Sequence, residues 1–247
     1  MLILSHRGFH ERAPENTLAA FDAAAALGVD GIETDIRLSA DAQLVLFHDR
    51  LAPDGRPVAS LARDELSRLV GYEVPTLESA LARLPDMLWN LEIKTPAALE
   101  PLIAVLRGPL APWVACPRLR GHGFTPEDRS DMSTASVGMA PTRRLLVTSF
   151  IHPLVDDICL RLRVDGGLLV AHRPAEETKP GDWISGHTRV GSIVWDYNSC
   201  DEQLLRQSAA QGALNFVYGA ETKAELAELA RWDVAGVITD RPDHLLS

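Results

Sequence analysis

The chain has 247 residues, of which 46% are hydrophobic and 23% are charged, and its formal net charge is −10 at pH 7. This composition is ordinary for a globular protein with a substantial core. The acidic balance argues against non-specific nucleic-acid binding, which needs a basic surface. It does not exclude an anionic substrate, because a bound metal ion and a few local cations can reverse the field inside a pocket.

The three cysteines, Cys116, Cys159 and Cys200, are far apart and show neither zinc-ligand spacing nor a disulfide framework. The first residues lack the basic start and long apolar run of a signal peptide. No stretch approaches the ~20 apolar residues that span a bilayer. We therefore expect a cytoplasmic protein without an integral membrane segment.

Short apolar runs alternate with amphipathic segments along the chain. Residues 2–4 predict a first strand, and residues 17–28, which begin at a capping threonine and end at a glycine, predict a helix. Further strands are expected at 30–38, 44–47, 87–94, 144–150, 167–171, 192–196, 214–219 and 235–240. Further helices are expected near 62–69, 76–84 and 96–108.

One pair of predicted strands is too close for a parallel connection. Parallel neighbours need a crossover of about a dozen residues, whereas only residues 39–43 separate the second strand from 44–47. Segment 44–47 should therefore return antiparallel, as a hairpin. The other eight strands, separated mostly by helices, predict an α/β fold: a (β/α)8 TIM barrel, as one domain over residues 1–247. A doubly wound open sheet is the alternative, although no glycine-rich dinucleotide-binding sequence supports it.

Residues 108–143 interrupt this alternation. They are rich in Pro, Gly, Ser and Thr and show little periodicity. We expect a long surface insertion that is partly disordered, with a lid over the site as the less favoured alternative.

Functional side chains of a parallel barrel gather where the strands end. The polar residues at the first strand ends are His6, Arg7, Glu33, Asp35, Glu92 and Lys94. Residues two apart on a strand share a face, so the two pairs of polar residues on the later strands should project into one barrel mouth. Three carboxylates there would repel one another unless a cation lay between them. Oxygen ligands of this kind suit Mg²⁺ or Ca²⁺.

The predicted hairpin adds a second histidine to this mouth. If it folds about residue 41, His48 returns to the level of residue 34, between Glu33 and Asp35. Two histidines beside a cation-binding cluster favour acid–base chemistry on an anion. Asp49 is interpreted as a turn residue. The remaining histidines are expected at the surface or in packing contacts: His10, His122, His152, His172, His187 and His244.

Several short segments occur in a defined order along nearly the whole chain: HRG (6–8), PENT (14–17), GIETDIRLSADAQLVLFHD (31–49), PTLESAL (75–81), LEIK (91–94), SF (149–150) and GVITDRPD (236–243). In these segments the chain resembles the glycerophosphodiester phosphodiesterase family. The resemblance implies a (β/α)8 barrel that hydrolyses a small-molecule glycerophosphodiester to an alcohol and glycerol 3-phosphate. It also implies a divalent cation: Mg²⁺ or Ca²⁺, with Mn²⁺ as a further option.

Carried over by position, the resemblance implies roles for nine side chains. The metal ligands would be Glu33, Asp35 and Glu92, and the general acid–base pair would be His6 and His48. Arg7 and Lys94 would bind phosphate oxygens, Glu15 would support the site from behind, and Tyr218 would offer an aromatic platform. The implied route has the neighbouring glycerol hydroxyl attack phosphorus, the alcohol leave, and water open the cyclic phosphate.

The sequence departs from the family pattern in three places. Residues 218–221 replace an aromatic-Thr-Val-Asn run, which leaves recognition of the alcohol or glycerol open. The short segment between His48 and Pro75 omits the small insertion domain of many bacterial members, and the 108–143 insertion is unusually long.

Two rival functions remain. One is a lyase that stops at the cyclic phosphate, as phospholipase D-like toxins do on lysophospholipids. The other is an inactive, ligand-binding barrel. The sequence does not indicate the oligomeric state.

Overall fold

The computed structural model describes residues 1–109, 113–115, 143–173, 190–232 and 234–246. The strands in these ranges are β1 (Leu2–His6), β2 (Gly31–Leu38), β3 (Leu44–Leu46), β4 (Leu88–Ile93), β5 (Trp113–Ala115), β6 (Arg143–Ser149), β7 (Asp165–Val170), β8 (Val190–Asp196), β9 (Leu214–Tyr218) and β10 (Gly236–Thr239). The α-helices in these ranges are α1 (Leu18–Leu27), α2 (Arg63–Val70), α3 (Leu77–Arg83), α4 (Leu99–Arg107), α5 (His152–Leu162), α6 (Glu202–Ala210), α7 (Lys223–Arg231) and α8 (Asp243–Leu246). Single 3₁₀ turns span Val58–Ser60, Pro96–Ala98 and Tyr197–Ser199.

Eight parallel strands close into a barrel, in the order β1-β2-β4-β6-β7-β8-β9-β10. The ring closes because β1 pairs with β2 on one side and with β10 on the other. Since an open doubly wound sheet keeps two free edges, this closure excludes that alternative. The predicted TIM barrel is confirmed.

The barrel wall separates two sets of apolar side chains. The interior is filled by residues from alternate positions of seven strands: Leu2, Leu4, Leu88, Leu146, Leu169, Val194, Phe216 and Ile238. A larger core lies between strands and helices, where Phe21 of α1 packs edge-on against Trp89 of β4 with ring centroids 5.3 Å apart. Because side chains alternate along a strand, the residue two positions after each of these interior residues also points inward. At the ends of the strands, these positions line the mouth of the barrel. That row includes His6, Asp196, Tyr218 and Asp240.

The hairpin after β2 has the predicted direction and register. β3 runs antiparallel to β2, with Ile36 opposite Leu46 and Leu38 opposite Leu44. Phe47 N donates to Asp35 O at 3.1 Å just beyond the last pair, and this bond brings the following residue, His48, to the mouth. Residues between the hairpin and α3 form a small apolar cluster against β3 rather than a further domain: Ala52, Val58, Leu61, Leu66 and Val74.

The predicted insertion at 108–143 contains one short strand that the sequence did not predict, Trp113–Ala115. These residues form β5, which runs parallel to the start of β6 and pairs with residues 143–145. From Leu146 onward the same edge of β6 pairs with β7 instead. A three-residue strand carries too little alternation for a sequence signal. Residues 110–112 and 116–142, with Cys116, His122 and the alternative of a lid, lie outside the described residues.

A helix that crosses a membrane must be both long and apolar. No helix in the described ranges has both properties.

Candidate active site

The turn after β1 explains why this strand ends in His6-Arg7-Gly8. Arg7 and Gly8 both have left-handed backbones, with φ of 57° and 80°. A Cβ at Gly8 would lie 2.8 Å from the backbone carbon of Ala20 in α1, so only glycine fits. Arg7 N donates to Glu33 O at 2.9 Å. The turn therefore holds His6 and Arg7 at the mouth, against the end of β2.

Three buried carboxylates meet where β2 and β4 end. Glu33 and Asp35 extend from β2 and Glu92 from β4, and each can offer an oxygen within 4.8 Å of the other two. The strand register causes this, since Asp35 stands opposite Glu92 in the parallel pairing. Oε1 of Glu33 is buried and accepts no hydrogen bond from any described residue. The acidic triad of Glu33, Asp35 and Glu92 is the predicted metal cluster, brought together as expected.

Two cations neutralise part of this charge. Lys94 Nζ lies 3.1 Å from Asp35 Oδ1 and 2.7 Å from Glu92 Oε1. Arg7 Nε lies 3.2 Å from Asp35 Oδ2, and its Nη1 contacts both oxygens of Glu15 at 3.0 and 3.1 Å. Glu15 therefore holds Arg7 from the solvent side, as the resemblance implies.

The pKa values of the acidic triad diverge because the cations are unevenly placed. Burial raises the pKa of Glu33 well above its usual value, and the charges of Asp35 and Glu92 add to that shift. Burial also raises the pKa of Glu92, although Lys94 opposes it. At Asp35 burial acts in the same direction, but Lys94 and Arg7 outweigh it and hold the pKa below its usual value.

These residues fit a hard divalent cation. The donor set consists of carboxylate oxygens, which Mg²⁺, Ca²⁺ and Mn²⁺ prefer. Two cations, Arg7 and Lys94, contact these three carboxylates, and Oε1 of Glu33 is left without a hydrogen bond from any described residue. A cation between the three carboxylates would stabilise their charged forms.

His6 lies beside the acidic triad and shares a carboxylate with a second histidine. Its Nε2 is 3.8 Å from Glu33 Oε2, and its Nδ1 is 2.6 Å from Asp240 Oδ1. His10 Nε2 contacts the same Asp240 oxygen at 2.9 Å. The interpretation of His10 as a surface or packing residue is therefore wrong. Neither His10 nor Asp240 was assigned a site role from the sequence, although Asp240 follows β10 within the motif GVITDRPD.

Asp240 fixes which nitrogen of His6 carries the proton. Burial alone would raise the pKa of Asp240, but hydrogen bonds from His6 and His10 outweigh it and lower the pKa. Since an ionised carboxylate only accepts hydrogen bonds, Nδ1 of His6 must be the donor. Nε2 of His6 is then the nitrogen directed towards the acidic triad.

His48 follows Phe47, whose backbone N–H donates to Asp35 O, and therefore lies near the end of β2. It is close enough to Asp35 and Glu92 for its charge to lower their pKa values. Its Nδ1 lies 2.9 Å from Asp49 Oδ1, so Asp49 contacts the ring and is more than a turn residue.

The backbone of His48 is anchored by a side chain that the sequence did not single out. Arg37 of β2 donates from Nε and Nη2 to the carbonyl oxygen of His48, at 3.0 and 2.6 Å. Burial lowers the pKa of the Arg37 guanidinium. His48 lies beyond the last paired residue of the hairpin, so this double contact fixes its position.

Asn16, within the PENT motif, is a further residue that sequence reasoning missed. It has a left-handed backbone with φ of 56° and is buried. Its Nδ2 donates to Asp35 Oδ2 at 2.9 Å, and its Oδ1 accepts from the Thr34 hydroxyl at 2.6 Å. Asn16 thus orients one carboxylate of the acidic triad.

Tyr218, at the end of β9, lies across the barrel from the acidic triad. Burial raises its pKa, and the charge of the neighbouring Asp196 adds to that shift. Its ring meets that of Phe150 nearly at right angles, with centroids 6.4 Å apart. The departure at residues 220–221 serves α7: Ala220 is buried, and Glu221 N donates to Glu225 Oε2 within the cap of that helix.

The other described histidines match their expected roles. His152 contacts Leu169 O at 2.9 Å, His244 contacts Glu221 O at 3.0 Å, and His172 is exposed. His187, like His122, lies outside the described residues.

Known proteins share this sequence pattern. The sequence profile of the glycerophosphoryl diester phosphodiesterase family matches residues 6–105 and 138–244, so the unmatched stretch overlaps the predicted insertion. A glycerophosphodiester phosphodiesterase of Caldanaerobacter subterraneus is 35% identical over 266 aligned positions that cover 100% of this chain and 96% of that protein. A probable glycerophosphodiester phosphodiesterase of Mycobacterium tuberculosis is 39% identical over 115 residues, which cover 42% of this chain and 43% of that protein.

Solved structures share the fold. A glycerophosphodiester phosphodiesterase from Thermotoga maritima superposes with a TM-score of 0.75 at 22% identity, covering 100% of this chain and 97% of that one. A phosphodiesterase from Oleispira antarctica gives a TM-score of 0.75 at 21% identity, with the same coverage. The profile match and the full-length relative confirm the family and enzyme class that the sequence resemblance implied: this chain belongs to the glycerophosphoryl diester phosphodiesterase family.

Proposed function

We propose that this enzyme hydrolyses glycerophosphodiesters to glycerol 3-phosphate and an alcohol, with His6 and His48 as its acid–base pair and a divalent cation on Glu33, Asp35 and Glu92. The observation that carries the proposal is the placement of the two histidines beside one buried acidic triad. The structure from Oleispira antarctica, which holds the product sn-glycerol-3-phosphate, supports this choice of substrate class.

The proposed reaction has two steps that use the histidines in turn. One histidine accepts the proton of the neighbouring glycerol hydroxyl as its oxygen bonds to phosphorus. The other donates a proton to the alcohol oxygen as the phosphorus–oxygen bond to the leaving group breaks. Water then opens the cyclic phosphate with the two roles exchanged, which gives glycerol 3-phosphate. Positioned proton transfer of this kind is worth about 10²–10⁴ in rate.

The charged side chains of the mouth would bind the phosphoryl group. Arg7 and Lys94 hold positive charge beside the acidic triad, where phosphoryl oxygens would bind. At Lys94, burial alone would lower the pKa, but Asp35 and Glu92 outweigh it and raise the pKa, so the ammonium form is favoured. The divalent cation, when bound, would neutralise phosphoryl charge and lower the barrier to attack.

Phosphorus NMR of a chelator-treated sample tests the proposal. Glycerophosphocholine is added, then Mg²⁺, Ca²⁺ or Mn²⁺, and calorimetric titration measures binding of each ion to the wild type and to Glu33→Gln. We expect metal-dependent glycerol 3-phosphate and weaker ion binding to the variant. A persistent cyclic phosphate would instead identify a lyase, and substrate unchanged with every ion would indicate a barrel that only binds its ligand.

Two expectations from the sequence stay predictions. We expect residues 1–247 to form one domain, which is supported by the span of the family profile. We also expect a cytoplasmic location, because the three cysteines of the sequence are far apart and show no disulfide framework.

A further inference from the structure

The mouth carries three side chains that the proposed chemistry does not use, two of them across the barrel from the acidic triad. In the barrel order, β8 and β9 lie across from β2 and β4. Asp196 and Tyr218 end these two strands and stand opposite each other in their pairing. Phe150 follows β6 and reaches Tyr218, although β6 and β9 do not pair. Tyr218 belongs to the same row of mouth residues as His6, and the charge of Glu92 contributes to its raised pKa.

Phe150 and Tyr218 form an aromatic corner. Their rings are 6.4 Å apart between centroids and inclined by 85°, so two surfaces meet at a right angle. Phe150 is 46% exposed, which is unusual for so large an apolar side chain. Tyr218 forms the other wall, with Asp196 beside it on the neighbouring strand. The corner is therefore a preformed apolar surface next to the site of phosphoryl transfer.

Asp196 adds a negative charge to this corner. Its Oδ1 accepts the backbone N–H of Asn198 at 2.7 Å, and its charge helps to raise the pKa of the neighbouring Tyr218 hydroxyl. The charges of Asp196, Asp201 and Arg173 all affect the pKa of the Cys200 thiol, so these three side chains lie near one another. Arg173 pairs with Asp201, at 2.5 Å. Within the described part of the chain, the charge of Asp196 is thus held by the hydrogen bond from Asn198 and not by an ion pair. A carboxylate beside two ring faces attracts an organic cation.

We propose that the aromatic corner and Asp196 bind the ammonium head of the leaving alcohol, and that the preferred substrates are diesters of choline or a similar quaternary ammonium alcohol. The proposal rests on the phosphodiesterase function proposed above. A quaternary ammonium suits the site better than a primary one, because it needs charge and ring surfaces but donates no hydrogen bonds. Asp196 already accepts one such bond, from the backbone N–H of Asn198.

A matched pair of substrates tests the role of charge. Glycerophosphocholine is compared with the glycerophosphodiester of 3,3-dimethylbutan-1-ol, which has the same shape without the charge. We expect the wild type to favour the choline diester in kcat/KM by about tenfold, the size of a good cation–π contact. Asp196→Asn and Phe150→Leu should each bring that ratio close to one. Asp54→Asn is the control. Asp54 lies in the loop after β3 and accepts the backbone N–H of Arg56, two residues later, just as Asp196 accepts that of Asn198.

The outcomes separate this inference from the proposed function. The ammonium site is supported if the wild type turns over both diesters and the ratio of their kcat/KM values falls in Asp196→Asn and Phe150→Leu but not in Asp54→Asn. If both diesters are turned over but the wild-type ratio of their kcat/KM values is near one, or is unchanged in Asp196→Asn, the ammonium site is wrong. The proposed phosphodiesterase function is then still supported. Absence of turnover of either diester with every divalent ion overturns both.

Discussion

His6 Nδ1 lies 2.6 Å from Asp240 Oδ1, an oxygen that is also 2.9 Å from His10 Nε2. One carboxylate thus accepts hydrogen bonds from two imidazole rings, one at the end of β1 and one four residues later. The contact leaves Nε2 of His6, 3.8 Å from Glu33 Oε2, as the nitrogen that would exchange a proton in the proposed reaction. Asp240 is therefore a positioning residue for His6.

Loss of the Asp240 carboxylate should impair turnover more than binding. In Asp240→Asn the amide can donate or accept, so Nδ1 of His6 is no longer required to carry the proton. We expect kcat to fall by about a hundredfold, the lower range for positioned acid–base catalysis, with a much smaller change in KM. Steady-state kinetics on glycerophosphocholine give both values. His10→Gln removes only the second donor and should cost less, so equal losses in the two variants would contradict the assignment.

Acid should destabilise the wild type through the same carboxylate. The pKa of Asp240 is lower in the folded protein than its unfolded value of about 3.9, because hydrogen bonds from the histidines outweigh burial. Its stabilising contribution is therefore complete above about pH 4 and is lost as the pH falls through the folded pKa. Urea unfolding of the wild type and Asp240→Asn over this range should show a steeper loss in the wild type. Parallel curves would mean that Asp240 makes no such contribution.

Arg37 should control the position of His48. Arg37→Met removes both donors to the His48 carbonyl, and we expect a loss of about ten- to a hundredfold in kcat, since small displacements of a catalytic group are costly. Arg37→Lys keeps one donor and should recover part of the loss. The pH profile of kcat should change in Arg37→Met, because His48 would no longer be held beside Asp35 and Glu92.

The matched control for Arg37 is Arg83→Met. Arg83 also makes two contacts through its guanidinium, but with Asp22 at the surface of the barrel. Its replacement should leave kcat and the pH profile as in the wild type. Equal effects of the two methionine variants would show that Arg37 acts only on general stability.

Gly8 should be intolerant of any side chain. Gly8 and Gly28 both have left-handed backbones, with φ of 80° and 82°. A Cβ at Gly8 would lie 2.8 Å from Ala20, whereas at Gly28 nothing lies within 4 Å. We expect Gly28→Ala to cost about 1 kcal/mol in the free energy of unfolding, and Gly8→Ala to cost at least about 2 kcal/mol more because of the clash. Equal losses in denaturant unfolding would refute the steric argument.

Much of the fold and the acidic triad follows from local patterns. The five-residue turn before β3 dictated an antiparallel return, and the alternation of side chains placed Glu33 and Asp35 on one face. Strand ends that carried charge identified the mouth. These features depend on period and loop length, which a sequence displays directly.

Residues whose roles depend on distant contacts were less accessible. Asp240 lies 234 positions from His6, and His10 is recognisable only once the barrel closes and brings β10 beside β1. Arg37 reads as an ordinary polar position on β2, because its partner is a backbone carbonyl. β5 was missed since three residues that pair with a distant strand carry no local signature.

The turnover of His6→Ala and His48→Ala, measured with glycerophosphocholine at saturating divalent ion, tests the central assignment most directly. His244→Gln, which alters a histidine outside the mouth, serves as the control. The account predicts that kcat falls by at least about a hundredfold in each alanine variant and is retained in the control. If both alanine variants turn over the substrate as fast as the wild type, His6 and His48 are not the acid–base pair.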